Sequence, residues 1–214
     1  MPIIIDHRPK TFDEVIGNKH LVSILRSMVE RERKSPGKIS RAILLSGKSG
    51  CGKTTLARLF AKEVGCSDCN IIEVDAADNR GIDAIREIKK GARYKPIIGG
   101  DKKAYVLDEC HGLSSDGQQA MLKILEEPPS HVFFLLCTTA PEKLLETIRN
   151  RCKKLKVKPL NDRQMERLIM EIAGKENIKL PGNIIDKIVS RAEGCPRQAL
   201  DTLDTIRGLE GKDI

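Results

Sequence analysis

Residues 47–54 read Gly-Lys-Ser-Gly-Cys-Gly-Lys-Thr and fit the phosphate-binding pattern G-x-x-x-x-G-K-[ST] without a mismatch. In such a loop, glycines let the backbone turn tightly and bring its N–H groups close to an anion. Lys53 then reaches the β- and γ-phosphates of a nucleoside triphosphate, and the Thr54 hydroxyl holds Mg²⁺. The candidate loop residues are Gly47, Lys48, Ser49, Gly50, Cys51, Gly52, Lys53, Thr54 and Thr55.

Asp108 and Glu109 follow the apolar run Tyr105-Val-Leu107. An acid at the carboxyl end of a strand faces the edge of a parallel sheet where ligands bind. We therefore expect Asp108 to hold Mg²⁺ through its water shell and Glu109 to orient and deprotonate an attacking water. The tetrapeptide Asp-Glu-Cys-His also occurs in DExH-type helicases, so it leaves the class of ATPase open. Two surface acids after an edge strand are the structural alternative.

Three further residues are weaker candidates when each is taken alone. Thr139 ends an apolar run, where a hydroxyl can bind the lytic water or the γ-phosphate, although a threonine pair at a strand end is more often a turn feature. Arg151 and Arg197 carry guanidinium groups suited to spreading charge during phosphoryl transfer. Isolated arginines are usually solvated, which is the alternative for both.

The elements that must position these residues alternate between strands and helices up to residue 158. The sequence predicts strands at 42–45, 70–75, 103–108, 132–138 and 153–157, of which 42–45 and 132–138 are almost wholly apolar. Helical spacing predicts helices at 13–32 (with a break near Gly17-Asn18), 55–64, 81–92, 115–125 and 141–149. This alternation predicts an α/β fold, an open parallel sheet covered by helices on both faces.

After Lys158-Pro159 the pattern contains only amphipathic helices, at 162–173, 182–192 and 196–209. Asn161 is the expected N-cap of the first. The sequence therefore predicts a nucleotide-binding α/β domain over 1–158 and a small three-helix domain over 159–214.

The 214-residue chain has a formal net charge of +8, and the charge is uneven. Residues 1–158 carry 29 Lys and Arg against 20 Asp and Glu, whereas residues 159–214 carry 9 against 10. A basic first domain is consistent with a polyanionic partner, although solvated lysines give the same count. Aromatic residues are only 3% of the chain, which argues against base-stacking platforms. The seven cysteines and the lack of a secretory signal or of a long apolar run predict a protein with reduced thiols, neither secreted nor membrane-bound. We expect it in the cytoplasm, with a nucleoid or nuclear site as the alternative.

Several segments, taken in order, resemble the motifs of AAA+ clamp-loader ATPases, such as replication factor C small subunits and bacterial DNA polymerase III tau/gamma subunits. The resemblance covers essentially the whole chain, and the Leu-Glu-Glu-Pro-Pro segment has no counterpart in DExH helicases. The segments are Arg8-Pro-Lys-Thr-Phe-Asp-Glu-Val-Ile-Gly17, Asp108-Glu-Cys-His111, Leu122-Lys-Ile-Leu-Glu-Glu-Pro-Pro129, Thr138-Thr139, Arg151-Cys152 and Gly194-x-x-Arg197-x-Ala-Leu200.

The resemblance implies an AAA+ P-loop NTPase fold followed by a helical lid, and it assigns residue roles. Thr139 corresponds to the sensor 1 position. Arg151 corresponds to the arginine finger that completes a neighbouring subunit's ATP site, and Arg197 to the sensor 2 arginine that touches the γ-phosphate of its own site. The implied wall of the adenine pocket comprises Arg8, Pro9, Val15 and Ile16.

The resemblance also implies a function in DNA replication. ATP binding would assemble subunits that open a sliding clamp, and primer–template DNA would trigger hydrolysis and clamp release. The subunit would work in a homo- or hetero-oligomer, and the isolated chain would be monomeric and weakly active. Two alternatives stay open. The protein could be a different AAA+ motor or helicase, or it could be a nucleotide-binding scaffold subunit that hydrolyses little ATP. The candidate contacts to the DNA backbone are Arg80, Arg86, Lys89, Lys90, Ser114 and Ser115.

Three departures from the family pattern qualify this resemblance. Asn150 stands where the family usually has Ser before the finger arginine. The bacterial branch has a four-cysteine zinc module, whereas only Cys66 and Cys69 stand in that region, so we expect no zinc. Family members continue into a helical collar that would begin near Ile214. We therefore expect a chain without that collar, whether by nature or by truncation.

Overall fold

The computed structural model describes residues 2–209, which form two compact units. The unit that we call the α/β unit comprises His20–Gly47 and Lys53–Lys156. The unit that we call the helical unit comprises the described residues up to Lys19, Lys48–Gly52 and those from Val157 onward. Residues 2–19 thus group with the helical segment, and the domain boundary expected at 158/159 stays a prediction.

The α/β unit is built on a five-stranded sheet in which all paired strands are parallel. The strands are β1 (Ala42–Ser46), β2 (Ile71–Asp75), β3 (Lys103–Asp108), β4 (Val132–Thr138) and β5 (Lys153–Lys156). Their order across the sheet is β2-β3-β4-β1-β5. All seven residues of β4 are buried, as its unbroken apolar run requires for a central strand.

Helices cover both faces of this sheet. The described α-helices are α1 (Ile3–Asp6), α2 (Lys19–Lys34), α3 (Lys53–Glu63), α4 (Ile82–Ala92), α5 (Ser115–Glu126), α6 (Glu146–Arg151), α7 (Asp162–Lys175), α8 (Gly182–Ala192) and α9 (Pro196–Leu209). Phe60 of α3 meets Phe133 edge to face, with ring centroids 5.6 Å apart. The next β4 residue, Phe134, points to the other face, where it stacks on Tyr105 and packs with residues of α4 and α5. The predicted parallel sheet flanked by helices is confirmed.

Local capping chemistry sets two of the helix boundaries. The Ser114 side chain accepts a hydrogen bond from the Gly117 N–H at 3.1 Å, which starts α5, and the helix ends at Glu126 shortly before two prolines. Asn161 and Gln164 form a reciprocal capping box at the start of α7. The prediction that Asn161 caps this helix is confirmed.

Two predicted helices differ from the structure. The segment expected as one helix over 13–32 is a 3₁₀ turn at Phe12–Glu14 followed by α2, because Gly17 and Asn18 adopt positive φ angles of 77° and 49°. The segment expected at 141–149 is a 3₁₀ turn at Pro141–Lys143 followed by α6, which extends to Arg151. Helical spacing in the sequence marks both segments, but it does not show where the chain turns.

The α/β unit contains a buried ion pair on the side of the sheet where α2 ends. The Glu32 side chain is fully buried and lies 2.9 Å from the Arg41 guanidinium and 3.3 Å from the Lys102 ammonium. The guanidinium of Arg41 also lies 4.3 Å above the Phe133 ring. By contrast, the pair of Arg33 with Glu63 is exposed to solvent. The Glu32–Arg41 pair and the Glu63–Arg33 pair therefore allow a buried and an exposed ion pair of the same residue types to be compared.

In the helical unit, α7, α8 and α9 pack on one another, and α1 joins them. Ile3 is completely buried in a cluster with Ile172 of α7 and Leu203 of α9. Next to it, the Glu176 carboxylate lies 2.5 Å from His7 Nε2 and 2.9 Å from Arg207 Nη1. These hydrogen bonds from His7 and Arg207 lower the pKa of Glu176. The short helix α1, which the sequence did not predict, thus belongs to this helical core.

Candidate nucleotide-binding site

The phosphate-loop pattern lies between a strand and a helix, as its chemistry requires. The chain leaves β1 at Ser46, and the Gly47 N–H donates to the Thr138 carbonyl oxygen of β4 at 3.2 Å. Helix α3 begins at Lys53, whose side chain is buried and whose ammonium donates to the Gly47 carbonyl oxygen at 3.1 Å. Gly50 and Gly52 have φ angles of 69° and 93°, which favour glycine at both positions. The loop ends are therefore fixed by the sheet and by α3.

The two candidate magnesium ligands meet in the α/β unit. The Thr54 hydroxyl donates to Asp108 Oδ2 at 2.7 Å, although the two residues lie 54 positions apart. The other carboxylate oxygen, Oδ1, accepts a hydrogen bond from the Glu109 N–H at 3.0 Å. A hydroxyl beside a carboxylate suits Mg²⁺, which takes one or two protein oxygens and completes its shell with water and phosphate. Within residues 2–209 no cluster of three or more metal-binding side chains is found, which this mode of binding does not require.

The Glu109 carboxylate is held by two neighbours, one of which the sequence did not identify as a site residue. The Thr139 hydroxyl donates to Glu109 Oε2 at 3.1 Å, and His111 Nδ1 lies 3.2 Å from the same oxygen. His111 Nδ1 also lies 3.1 Å from the hydroxyl oxygen of Thr138, which accepts the Ala140 N–H at 3.0 Å. A proton on Nδ1 makes both His111 contacts attractive, because both oxygens can accept it.

Glu109 itself has an unusual backbone conformation. Its φ of 43° and ψ of 43° place it in the left-handed region between β3 and the following 3₁₀ turn. For a non-glycine residue this conformation costs roughly 1–3 kcal/mol and often marks a functional site. Here it directs the carboxylate toward Thr139 and His111. The tetrapeptide Asp-Glu-Cys-His shows this His as part of a motif, but only the structure shows what it contacts.

Arg151, the candidate finger residue, lies at the end of α6 and has partners within its own chain. Its Nη2 lies 2.5 Å from Glu126 Oε1, and its Nη1 donates to the Thr147 carbonyl oxygen at 3.1 Å. About a third of the Arg151 side chain is exposed. Glu126 belongs to the Leu-Glu-Glu-Pro-Pro segment that carried the resemblance, and the structure places it against the finger position.

The remaining candidate nucleotide-binding residues, the sensor 2 arginine and the adenine-wall residues, belong to the helical unit. The Arg197 N–H donates to the Gly50 carbonyl oxygen at 3.4 Å, which brings the start of α9 against the phosphate-loop segment Lys48–Gly52. Among the expected adenine-wall residues, Arg8, Pro9 and Val15 are half-buried. Ile16 packs on the core of the helical unit formed by residues of α7, α8 and α9. Their roles stay predictions.

Four of the six candidate DNA-contact residues have partners close to them in the chain. Arg86 pairs with Asp83 and Lys90 pairs with Glu87 along α4, both at 2.8 Å. Ser114 is occupied as the cap of α5, and the Arg80 guanidinium donates to a backbone carbonyl oxygen. Lys89 on α4 is half-buried, and the first residue of α5, Ser115, is exposed. These pairs suit a solvated helix face as well as a DNA contact, so the contacts stay predictions.

The two cysteines considered for zinc differ in environment. Burial raises the pKa of the Cys66 thiol to about 12, whereas Cys69 is exposed and lies 3.1 Å from the Ser67 hydroxyl. A zinc ligand has to be a thiolate, which burial disfavours at Cys66. The absence of zinc stays a prediction. No helix within residues 2–209 has the length and apolarity needed to cross a membrane.

Family models and solved structures of known proteins show which fold the chain has. A family model described as the P-loop domain of the Holliday junction DNA helicase RuvB matches residues 7–84, and one described as the delta subunit of DNA polymerase III matches residues 67–161. The solved structure of a Thermotoga maritima RuvB mutant, P216G, superimposes with a TM-score of 0.77 over 92% of this chain and 64% of that chain, at 22% identity. The chain therefore has the AAA+ P-loop fold, followed along the chain by a helical segment.

Sequence relatives narrow the class. The DNA polymerase III tau/gamma subunit of Haemophilus influenzae is 36% identical over 97% of this chain and 32% of its own length. The tau subunit of Bacillus subtilis is 34% identical over 95% of this chain and 39% of its own length. The predicted resemblance to tau/gamma subunits is confirmed: the chain is similar to DNA polymerase III tau and tau/gamma subunits over nearly all of its length. It spans about a third of the length of these relatives.

Proposed function

We propose that the chain binds ATP with Mg²⁺ and hydrolyses it as a subunit of a DNA sliding-clamp loader. One observation carries the catalytic part of this proposal. The Thr54 hydroxyl and the Asp108 carboxylate, which come from the two sequence motifs for nucleotide chemistry, lie 2.7 Å apart, and Glu109 follows immediately. The similarity to tau/gamma subunits supports the clamp-loading part.

The residues of the α/β unit divide the task of holding the nucleotide. The buried ammonium of Lys53, now bound to a loop carbonyl, is proposed to turn to the β- and γ-phosphates. Thr54 and Asp108 are proposed to hold Mg²⁺, the first directly and the second through water. When bound, Mg²⁺ neutralises charge that builds up on the phosphate oxygens during transfer.

Glu109 is proposed to accept the proton of the attacking water. A carboxylate can do this only if it faces the water in the right orientation, because positioning supplies much of the catalysis in phosphoryl transfer. The Thr139 hydroxyl and His111 Nδ1 both approach one carboxylate oxygen, Oε2, which leaves Oε1 as the oxygen to accept the proton. We therefore propose Thr139 and His111 as positioning residues for Glu109.

Two arginines are proposed to complete the site at the γ-phosphate. Arg197 would act on the nucleotide of its own chain. Arg151 would act on the nucleotide of a neighbouring subunit, exchanging its contact with Glu126 for phosphate oxygens, which a guanidinium can bind through two nitrogens at once. Contacts of this kind would couple the state of the nucleotide to the arrangement of subunits.

The proposed partners are neighbouring loader subunits, the sliding clamp and primer–template DNA. ATP binding would assemble a subunit arrangement that opens the clamp, and DNA would trigger hydrolysis and release. DNA would be held through its phosphates by Arg80, by the candidate residues on α4 and by those at the start of α5. Binding should then weaken steeply with salt and show little sequence preference.

A second candidate function, an AAA+ motor that moves or unwinds DNA, is favoured by the match of residues 7–84 to the RuvB P-loop domain. DNA unwinding driven by ATP would support this motor, whereas stimulation by a sliding clamp without unwinding would support the loader. A scaffold subunit that hydrolyses little is the third candidate, and the intact Lys53, Glu109 and Arg151 argue against it.

The experiment that tests hydrolysis is Glu109→Gln, which keeps the shape of the side chain and removes the base. ATP affinity should stay near that of the unmodified chain, while phosphate release falls by ~100-fold or more. Glu142→Gln, the same change at an exposed glutamate, is the control and should alter neither quantity. Undiminished turnover in Glu109→Gln would refute the role of Glu109.

A further inference from the structure

Two cysteines lie where the phosphate loop meets the start of α9 within the helical unit, and the proposed hydrolysis uses neither thiol. The Cys51 sulfur lies 4.0 Å from the Gly194 carbonyl oxygen. The Cys195 thiol donates to the Ser49 carbonyl oxygen at 3.5 Å. Each sulfur therefore contacts the backbone of the segment that carries the other cysteine.

The two backbone segments are in direct contact at this point. A Cβ atom added at Gly50 would lie 2.4 Å from the Cys195 sulfur and 3.0 Å from the Arg197 Cβ, so only glycine fits there. The Arg197 N–H donates to the Gly50 carbonyl oxygen at 3.4 Å. Since Gly50 directly precedes Cys51, the Cys195 sulfur touches the backbone next to Cys51. A disulfide needs Cα atoms about 4.4–6.8 Å apart, a separation that segments in such contact can provide.

The remaining thiols have different surroundings. All seven cysteines lie within residues 2–209, and none is in a disulfide. Burial raises the pKa of Cys66 and of Cys152 to about 12 and also raises the pKa of Cys110 and Cys137, so these thiols stay protonated at neutral pH and react slowly. Cys69 is exposed, and Cys195 is half-buried. An oxidant can therefore reach Cys195 next to the buried Cys51.

We propose that Cys51 and Cys195 are a redox-sensitive pair that a peroxide converts into a disulfide joining the phosphate loop to the start of α9. The Cys195 thiolate attacks one peroxide oxygen, which forms Cys195 sulfenic acid and releases water once a proton is taken up. The Cys51 thiol then attacks the sulfenic sulfur, a second water leaves, and the S–S bond forms. The two thiols lose two electrons, and hydrogen peroxide gains them.

The disulfide has a consequence for the nucleotide site. It fixes the phosphate loop to the segment that carries Arg197, two residues after Cys195. If ATP turnover requires these segments to separate, the oxidised chain binds nucleotide but turns it over slowly, and a thiol reductant restores the rate. This consequence rests on the proposed ATPase function, whereas formation of the disulfide does not.

The test is to treat the full chain with hydrogen peroxide, block the remaining thiols, and map the tryptic peptides by mass spectrometry. Cleavage after Lys48, Lys53, Arg191 and Arg197 gives peptides 49–53 and 192–197, each with one of the two cysteines. We expect these peptides to be joined, with a mass lower by two hydrogens than their sum, and to separate on reduction. Over-oxidised single peptides 49–53 and 192–197 without a joined species would overturn the proposal.

Two variants make the test specific. Cys195→Ser should abolish the joined peptide, whereas the matched control Cys69→Ser, which removes the exposed thiol, should leave it unchanged. ATP turnover is measured for the oxidised form of each variant relative to its own reduced form. It should fall in proportion to the fraction of chains with joined peptides, and it should not fall in Cys195→Ser. Joined peptides with unchanged turnover would overturn the regulatory consequence, and a reduced chain that binds no ATP would overturn the proposed function while leaving the disulfide testable.

Discussion

The contact between His111 and Glu109 gives a prediction whose size follows from the structure. His111→Leu keeps a side chain of similar bulk but removes the ring nitrogen that lies 3.2 Å from Glu109 Oε2. A hydrogen bond to a charged group contributes about 1.5–3 kcal/mol when well buried. The His111 and Glu109 side chains are 23% and 31% exposed, so solvent reduces this to about 1–2 kcal/mol. If this bond holds Glu109 in the productive orientation, its loss lowers the population of that orientation, and kcat should fall roughly 5- to 30-fold.

The assay is steady-state phosphate release over a range of ATP concentrations, with the melting temperature of each variant measured to check folding. The KM for ATP should change little, because the polar contacts of His111 are with Glu109 and Thr138, which lie outside the phosphate loop. His111→Asn places an amide nitrogen near the position of Nδ1 and should recover much of the lost rate. An unchanged kcat in His111→Leu, or an equal loss in His111→Asn, would refute the positioning role.

Three stability predictions test the packing around the two units. Glu32→Gln leaves Arg41 and Lys102 without their counter-charge and should lower the free energy of unfolding by about 3–5 kcal/mol in denaturant titrations. Glu63→Gln, at the exposed pair with Arg33, should cost less than about 1 kcal/mol. Gly50→Ala should lower the melting temperature more than Gly52→Ala does. Both substitutions carry the positive-φ penalty of about 1–2 kcal/mol, but only Gly50 lacks space for a Cβ. Equal decreases in melting temperature would contradict the contact between Gly50 and the start of α9. The lowered pKa of Glu176 stabilises the folded protein at pH values above about 4.3, the pKa of Glu in the unfolded chain. This stabilisation is lost as the pH falls through the lower pKa of the folded state. Glu176→Gln should therefore destabilise the protein at pH 7 and do so progressively less below about pH 4.

Much of the fold follows from the sequence because the central strands β1 and β4 are almost wholly apolar runs. The bounds predicted for β3, β4 and α8 and the predicted start of α9 agree with the structure, since glycines or prolines lie close to most of these bounds. The first helix was not predicted, because four residues carry too little periodicity to distinguish a helix from an extended segment. Its helical conformation is stabilised by burial of Ile3 against α7 and α9, which is a tertiary effect.

The candidate site was predictable only at the level of motifs. The pattern of Lys53, Thr54 and Asp108 marks nucleotide chemistry, because glycine spacing and strand ends are local features. The contacts of His111 with Glu109 and of Arg151 with Glu126 depend on how the folded backbone orients these side chains, and the sequence pattern does not show that orientation. Glu109 illustrates the limit, since its left-handed backbone conformation directs the carboxylate and no local sequence signal marks it.

The central claim is that Thr54 and Asp108 hold Mg²⁺ for hydrolysis of ATP, and its most direct test is ATP turnover as a function of Mg²⁺ concentration. Turnover by the unmodified chain should rise to saturation with Mg²⁺ and stop with a chelator. Asp108→Asn should need roughly 10- to 100-fold more Mg²⁺ for half-maximal turnover, the range for loss of a group that binds a metal through water. Turnover that is independent of Mg²⁺, or an identical Mg²⁺ dependence in Asp108→Asn, would contradict the account.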